Sequence, residues 1–331
     1  MKRSDGRRPA ALGCALAGLV LCIAGAAPGA DSPPAAAAVA GLPRLAFAAA
    51  GNEYRFDTGA LRGTLREDGK WPGLRPVQDA ASGRSLAGDL GLFSPYRLLT
   101  SDARFGTAAW DWQSRAQLLA DGAVEVRWLP DKEHPLEMAA VYRWTAPNVL
   151  DLRVTVKPQR KLPRFELFLA SYFDGFPAAF AYVQEGPAAG GKPGFQEATK
   201  SAGDWQAFPR DDAAAKIIGD GRWTRPPNPV QWKIMPRLAA PLALRRDAAS
   251  GLAGVLMAPA EDCFAVSMPF GEEGHRSVYL ALFGRDIEAG ETASARARLV
   301  IGKEISDQQA VALYNAYVAA KPWKAPGKPG G

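Results

Sequence analysis

From about residue 50 onward the chain is a succession of short segments in which apolar and polar residues alternate, the period-two mark of a strand with one buried face. Ala123-Val-Glu-Val-Arg-Trp128, Val149-Leu-Asp-Leu-Arg-Val-Thr-Val156 and Ala295-Arg-Ala-Arg-Leu-Val-Ile301 carry the pattern cleanly. Leu61–Leu65, Met138–Trp144, Phe165–Leu169, Gly254–Met257 and Ser277–Phe283 extend the set. Asp68-Gly69, Asp121-Gly122, Pro147-Asn148, Asp220-Gly221 and Ala289-Gly290-Glu291 separate the strands with turn chemistry that joins antiparallel neighbours. Helical spacing is persuasive once: Ser306 and Gln309 make a capping-box pattern ahead of Ala310, Leu313, Tyr314 and Tyr317, which predicts a helix over 306–320. No repeat of propeller or solenoid length is visible. The pattern therefore predicts an all-β chain, a large antiparallel two-sheet supersandwich with one C-terminal helix, as a single domain over residues 49–320.

The two ends read differently. Lys2, Arg3, Arg7 and Arg8, the apolar stretch Ala10 to Ala27 and the small residues Pro28-Gly29-Ala30 predict a signal peptide over 1–30, cut after Ala30, and hence an exported, periplasmic or secreted protein. Residues 31–48 read as a flexible leader and 321–331 as a disordered, Pro/Gly-rich tail. This changes the charge picture. The whole chain has 40 Lys+Arg against 34 Asp+Glu, and without the signal 36 face 33, so +6 becomes +3. A basic balance carried by an address segment and a tail argues against a nucleic-acid partner. No apolar run after residue 30 is long enough for stable membrane insertion. Cys14 and Cys22 leave with the signal, and Cys263, alone in a strand-like stretch, reads as a buried inert thiol.

The order of segments resembles the galactose mutarotase-like (aldose 1-epimerase-like) superfamily. The resemblance rests on the early strand and turn Leu61-Arg-Gly-Thr-Leu-Arg-Glu-Asp-Gly-Lys-Trp-Pro-Gly-Leu74 and on Glu137–Trp144 followed by Leu150–Val156, similar to the family's paired strands. The third element is the closing strand Ala295–Ile301 after Ile287-Glu-Ala-Gly-Glu-Thr292. It spans roughly residues 50 to 302 and implies a β-supersandwich that recognises carbohydrate on its concave sheet. The superfamily contains sugar epimerases and sandwich domains of polysaccharide-active enzymes. Mutarotases of this type use histidines and a glutamate; the histidines here are His134 and His275, and neither matches the family's motif, so no catalytic assignment transfers.

Candidate chemistry gathers in three places. Met268-Pro-Phe-Gly-Glu-Glu-Gly-His-Arg-Ser277 is a glycine-bracketed polar loop between apolar strands. There His275 can exchange a proton, with Glu273 or Asp262 as its acid/base partner, and Arg276 can grip hydroxyls or a carboxylate. The bland alternative is a solvated turn. The long irregular region from Gly203 to Trp232 places Trp205, Trp223 and Trp232 among charges including Arg210 and Asp211. Sugars stack their C–H faces on such rings while charged groups take the hydroxyls, although tryptophans also plug the ends of large sandwiches. Ala170-Ser-Tyr-Phe-Asp-Gly-Phe176 adds Tyr172 and Asp174 as further binding candidates. His134 reads as a turn residue. Two histidines and one cysteine without close spacing predict no zinc site, and no cofactor motif appears.

Three functions fit these observations. The first is an exported carbohydrate-binding protein with a sugar or polysaccharide on one sheet face. The second is a carbohydrate-active enzyme, an epimerase or a lyase/hydrolase, using His275 with a carboxylate. The third is a structural envelope protein without a small ligand.

Overall fold

Alternation along the strands decides the architecture, because each strand can bury one face completely and must leave the other for a different partner. The computed structural model describes residues 45–66, 73–187 and 190–320. A nine-stranded antiparallel sheet runs, in spatial order, through Gly194–Glu197, Ala178–Val183, Leu238–Asp247, Leu252–Met257, Ala293–Lys303, Val149–Pro158, Leu136–Ala146, Val124–Trp128 and Ser114–Leu118. A seven-stranded sheet runs through Lys233–Ile234, Trp205–Pro209, Cys263–Pro269, Ser277–Ile287, Leu162–Tyr172, Ser94–Leu99 and Arg104–Phe105. The two pack face to face: Val126, Trp128, Leu152 and Val154 of the first share one buried cluster with Phe165, Leu167, Leu169, Leu280 and Leu282 of the second.

The predicted two-sheet sandwich is therefore present, and it has two additions. Ala48–Ala50, Glu53–Asp57, Leu61–Arg66 and Gly73–Asp79 form a separate four-stranded sheet that contributes Phe56, Leu61, Leu65 and Leu74 to the same core. Phe47, assigned by the sequence to the leader, is buried there and donates its N–H to Gly122 O at 2.8 Å. A short helix, Asp212–Ile218, precedes a single 3-10 turn at Arg222–Thr224. Asp220-Gly221 thus connects these two helical pieces and not two strands. The C-terminal helix spans Asp307–Ala319 with the Ser306–Gln309 capping box in place, and it buries Ala310 and Tyr317 against the outer face of the nine-stranded sheet. The signal, the tail and the Asp68-Gly69 turn lie outside the described residues.

One buried cation joins the two large sheets near their ends. Arg245, fully buried on strand Leu238–Asp247, donates to the carbonyls of Phe176 at 2.8 Å, Ser277 at 3.1 Å, Gly271 at 2.5 Å and Pro177 at 3.4 Å. Gly271 and Ser277 bound the loop that carries His275, and Phe176 and Pro177 lie just before strand Ala178–Val183, so the guanidinium ties that loop to its neighbour. A side chain at Gly271 would begin 2.1 Å from Pro177 O, so only glycine allows this approach. Replacing Arg245 with Met keeps the approximate volume but strands four carbonyls. Arg245→Met is expected to lose about 3 kcal/mol or more in denaturant unfolding. A loss below 1 kcal/mol in the same measurement would mean that water already satisfies these carbonyls.

Candidate functional site

The face of the seven-stranded sheet that turns away from the sandwich core is unusually aromatic. On strand Leu162–Tyr172 the residues between Phe165, Leu167 and Leu169 are Glu166, Phe168, Ala170 and Tyr172, and strand Ser277–Ile287 likewise presents Tyr279 and Ala281. Phe168 pairs with Ala281 and Ala170 with Tyr279, so Phe168 and Tyr279 are diagonal neighbours and their rings stack at 4.4 Å. On the other side, Arg97 pairs with Phe168 while Pro95 pairs with Leu169, which leaves Tyr96 as the extra residue of a β-bulge. Both Tyr96 and Arg97 consequently reach the outer face. Ala170, Ala207 and Ala281 keep the floor low between the rings.

Residues 210–232 form the wall over this floor. Asp211 caps the short helix by accepting from Ala214 N at 2.8 Å, and Ala214, Ile217 and Ile218 pack the helix on the sheet. Arg222 then locks the segment down. Its Nη1 donates to Glu166 Oε2 at 3.1 Å and to Arg164 O at 2.9 Å, and its Nε and Nη2 reach the two oxygens of Asp220 at 3.0 and 2.8 Å. Trp223 follows directly, its ring edge-on to Phe168 at 4.4 Å, and Trp232 stands perpendicular to both Trp223 at 5.3 Å and Trp205 at 5.9 Å.

Together these residues enclose a cavity of about 430 Å³, lined by Tyr96, Arg97, Trp110, Phe168, Tyr172 and Tyr279 below and by Trp205, Trp223, Trp232 and Asn228 around the wall. His275 stands at its rim, half-exposed, its ring 5.6 Å from Trp205. Glu273 holds it: Oε1 lies 2.8 Å from His275 Nδ1 and Oε2 accepts the His275 backbone N–H at 2.8 Å. A second cavity of about 490 Å³ adjoins the first and shares Leu90, Tyr172 and His275 with it; Asp174, Arg276, Ser85 and Asp89 line the remainder. Burial pushes the Tyr279 phenol up to about 12 and that of Tyr172 well above its ordinary value, so both hydroxyls stay neutral donors.

The sequence candidates thus divide. Trp205, Trp223, Trp232, Tyr172 and His275 converge on one cavity, Glu273 stands outside its lining and holds His275, and Asp174 and Arg276 line the neighbouring cavity. Asp262 does not join them. It sits before strand Cys263–Pro269, whereas His275 follows the end of that strand, and seven strand residues span roughly 20 Å. Its carboxylate instead accepts from the backbone N–H and Nε of Arg296 at 3.0 and 3.1 Å. Arg210 and Asp211 are likewise absent from the cavity: Arg210 binds Asp211 at 2.8 Å and Ala260 O at 2.6 Å, and Asp211 serves as helix cap. Cys263 is buried, and burial pushes its thiol up to about 12. His134 stacks on Trp112 at 4.3 Å, away from the cavity lining. Sequence reasoning missed Tyr96, Arg97, Trp110, Phe168 and Tyr279. The aromatic pair Trp110-Asp111-Trp112 was the available signal; the bulge at Tyr96 had none. Among the described residues no group of three or more His, Cys, Asp or Glu is placed to hold a metal ion, and no helix is long and apolar enough to cross a membrane.

No family model matches the chain, and no curated protein matches its sequence. Solved structures do resemble it. A protein from Synechocystis sp. PCC 6803 is 11% identical, over 80% of this chain and 99% of that one, with a TM-score of 0.50. A galactose mutarotase-like protein from Lactobacillus casei ATCC 334 is 10% identical over 76% of this chain and all of its own, with a TM-score of 0.45. An α-N-acetylgalactosaminidase from Bifidobacterium bifidum is 12% identical over 80% of this chain but 38% of that one, at 0.48. At these identities the likeness is one of fold.

The buried anchor under the cavity has a pH signature. Burial raises the Glu166 carboxyl, Arg222 pulls it down, Asp220 raises it again, and the balance leaves it at about 7 against an ordinary 4.5. A carboxyl raised in the folded state holds its proton where the unfolded chain has lost it, so its contribution is complete below pH 4.5 and is lost as pH rises to about 7. The loss amounts to at most about 3 kcal/mol. Glu166→Gln is expected to remove this component, flattening the stability profile between those limits in denaturant titrations. Parallel profiles for the two proteins would show the carboxyl to be ionised throughout.

Proposed function

We propose that the chain is an exported carbohydrate-binding protein of the galactose mutarotase-like type, with a sugar unit seated in the aromatic cavity on the outer face of the seven-stranded sheet. The observation that carries this reading is the convergence of Trp205, Trp223, Trp232, Phe168 and Tyr279 around an open cavity with Arg97, Tyr172 and Asn228 interspersed. Ring faces match the C–H faces of a pyranose, and the polar groups between them take hydroxyls. A structural role alone would bury these rings against each other; here Trp205 and Trp232 remain partly open to the cavity. The basic, apolar and small-residue order of residues 1–30 supports export.

One observation favours turnover as a second reading. His275, held by Glu273, stands where the two cavities meet, so a saccharide spanning both would place a linkage beside an imidazole bonded to a carboxylate, an arrangement suited to acid/base chemistry. A glycan array on the full chain, followed by NMR of each bound sugar, separates the readings. Trp232→Ala, shown to be folded by its thermal melt, is expected to lose about tenfold or more in retention; undiminished retention would displace the ligand from this cavity. A bound sugar that stays chemically unchanged supports recognition. A change in anomer ratio or chain length that disappears in His275→Ala supports catalysis.

A further inference from the structure

The cavity is built from hydrogen-bond donors and contains no acid. None of its lining residues is Asp or Glu. Arg97 lies at its base, only 4% exposed, with its guanidinium 4.9 Å from the Tyr96 ring centre and 5.0 Å from that of Trp223. Its Nη2 donates to Tyr96 Oη at 3.1 Å and to Asn228 O at 2.9 Å. Its Nε is buried without a partner, and among the described residues no carboxylate stands within ion-pair distance of it. The acid on the neighbouring strand, Glu166, is committed to Arg222. Trp232 Nε1, on the cavity wall, is a second buried donor without a partner. Behind the wall Arg104 and Arg225 bind only backbone carbonyls, those of Thr107, Pro227 and Arg225 for the first and of Thr100 and Ser101 for the second.

A buried cation without an anion at bonding distance is expensive, and ring faces compensate only part of that. Resting on the sugar-binding reading above, we infer that the saccharide unit held in this cavity carries a negative charge, a carboxylate or a sulfate ester, that pairs with the Arg97 guanidinium. Nη2 is committed to Tyr96 Oη and Asn228 O, so an anion is met by the charge of the guanidinium and its remaining donors, and Trp232 Nε1 is a further donor on the wall. A neutral sugar would leave Arg97 without an anion at bonding distance. Hydroxyl recognition by Tyr172, Tyr279 and Asn228 remains available to the rest of the ring.

The test is calorimetric titration of the full chain, at about 0.1 M salt so that long-range attraction is screened, with three oligosaccharides of equal length: a neutral glucan, an oligouronate and a sulfated neutral glycan. One of the two charged probes is expected to bind at least about tenfold more tightly than the neutral one, and which of them does so identifies the anion. Arg97→Met is expected to erase the preference, so that neutral and charged probes bind alike. Arg97→Lys keeps the charge without the guanidinium geometry, is the milder change should the Met variant fail to fold, and is expected to retain only part of the preference. Equal affinity for neutral and charged probes would overturn this inference and leave the sugar cavity standing. A preference that survives in both variants would overturn the assignment to Arg97. No binding of any probe would overturn the sugar-binding reading itself, and this inference with it.

Discussion

The candidate site depends on one buried ionic contact. Arg222 leaves water entirely and is repaid by Glu166 on the sheet, Asp220 on its own segment and the carbonyl of Arg164. Remove the contact in thought and residues 210–232 have only a seven-residue helix and a few apolar side chains to hold them. A salt bridge of this kind contributes little net stability over an apolar substitute, but it specifies position. The position it specifies is that of Trp223, the next residue in the chain, and through Trp223 the placement of Trp232 and Asn228 over Phe168.

The seven-stranded sheet accordingly serves two cores. Its inner face is the ordinary half of a sandwich, filled by Leu167, Leu169, Leu280 and Leu282. Its outer face carries Phe168, Tyr172 and Tyr279, which are covered at one end by the 210–232 segment and open to a cavity at the other. Strands with two apolar faces read as continuous apolar runs, and Cys263–Pro269 and Ser277–Phe283 are buried at every position. The nine-stranded sheet lacks this feature over most of its width, where Asp151, Arg296 and Arg298 sit on the outer face among ion pairs. The asymmetry explains why the aromatic cavity forms on the seven-stranded sheet.

Legibility followed the same division. The Gly203–Trp232 region was readable as a site because three tryptophans in an irregular stretch are conspicuous, and all three reach the cavity. Arg210 and Asp211 were read with them because sequence proximity is the only proximity a sequence offers; in the fold their charges are spent on each other, on Ala260 O and on a helix N-terminus. Asp262 failed for the converse reason. It is 13 positions from His275 in the chain, but an intervening strand converts that separation into length. Arg97 went unnoticed because a lone arginine in a short strand reads as a solvated edge residue, and the bulge that turns it outward beside Tyr96 depends on pairing with a strand some seventy residues later.

What the sequence determined by itself is therefore what short-range periodicity can encode: the eight segments that alternate or run apolar between turn residues, the turns at Asp121-Gly122, Pro147-Asn148 and Gly290, the capped C-terminal helix and the all-β class. These follow from alternation, turn residues and capping, each local to a few positions. Tertiary structure alone decided which apolar face meets which sheet, that a third, four-stranded sheet closes the core, and that charges distant in sequence either pair or stand apart. Burial is a property of the assembled chain, and it converts Arg97 from one arginine among many into an unpaired cation at the base of an aromatic cavity.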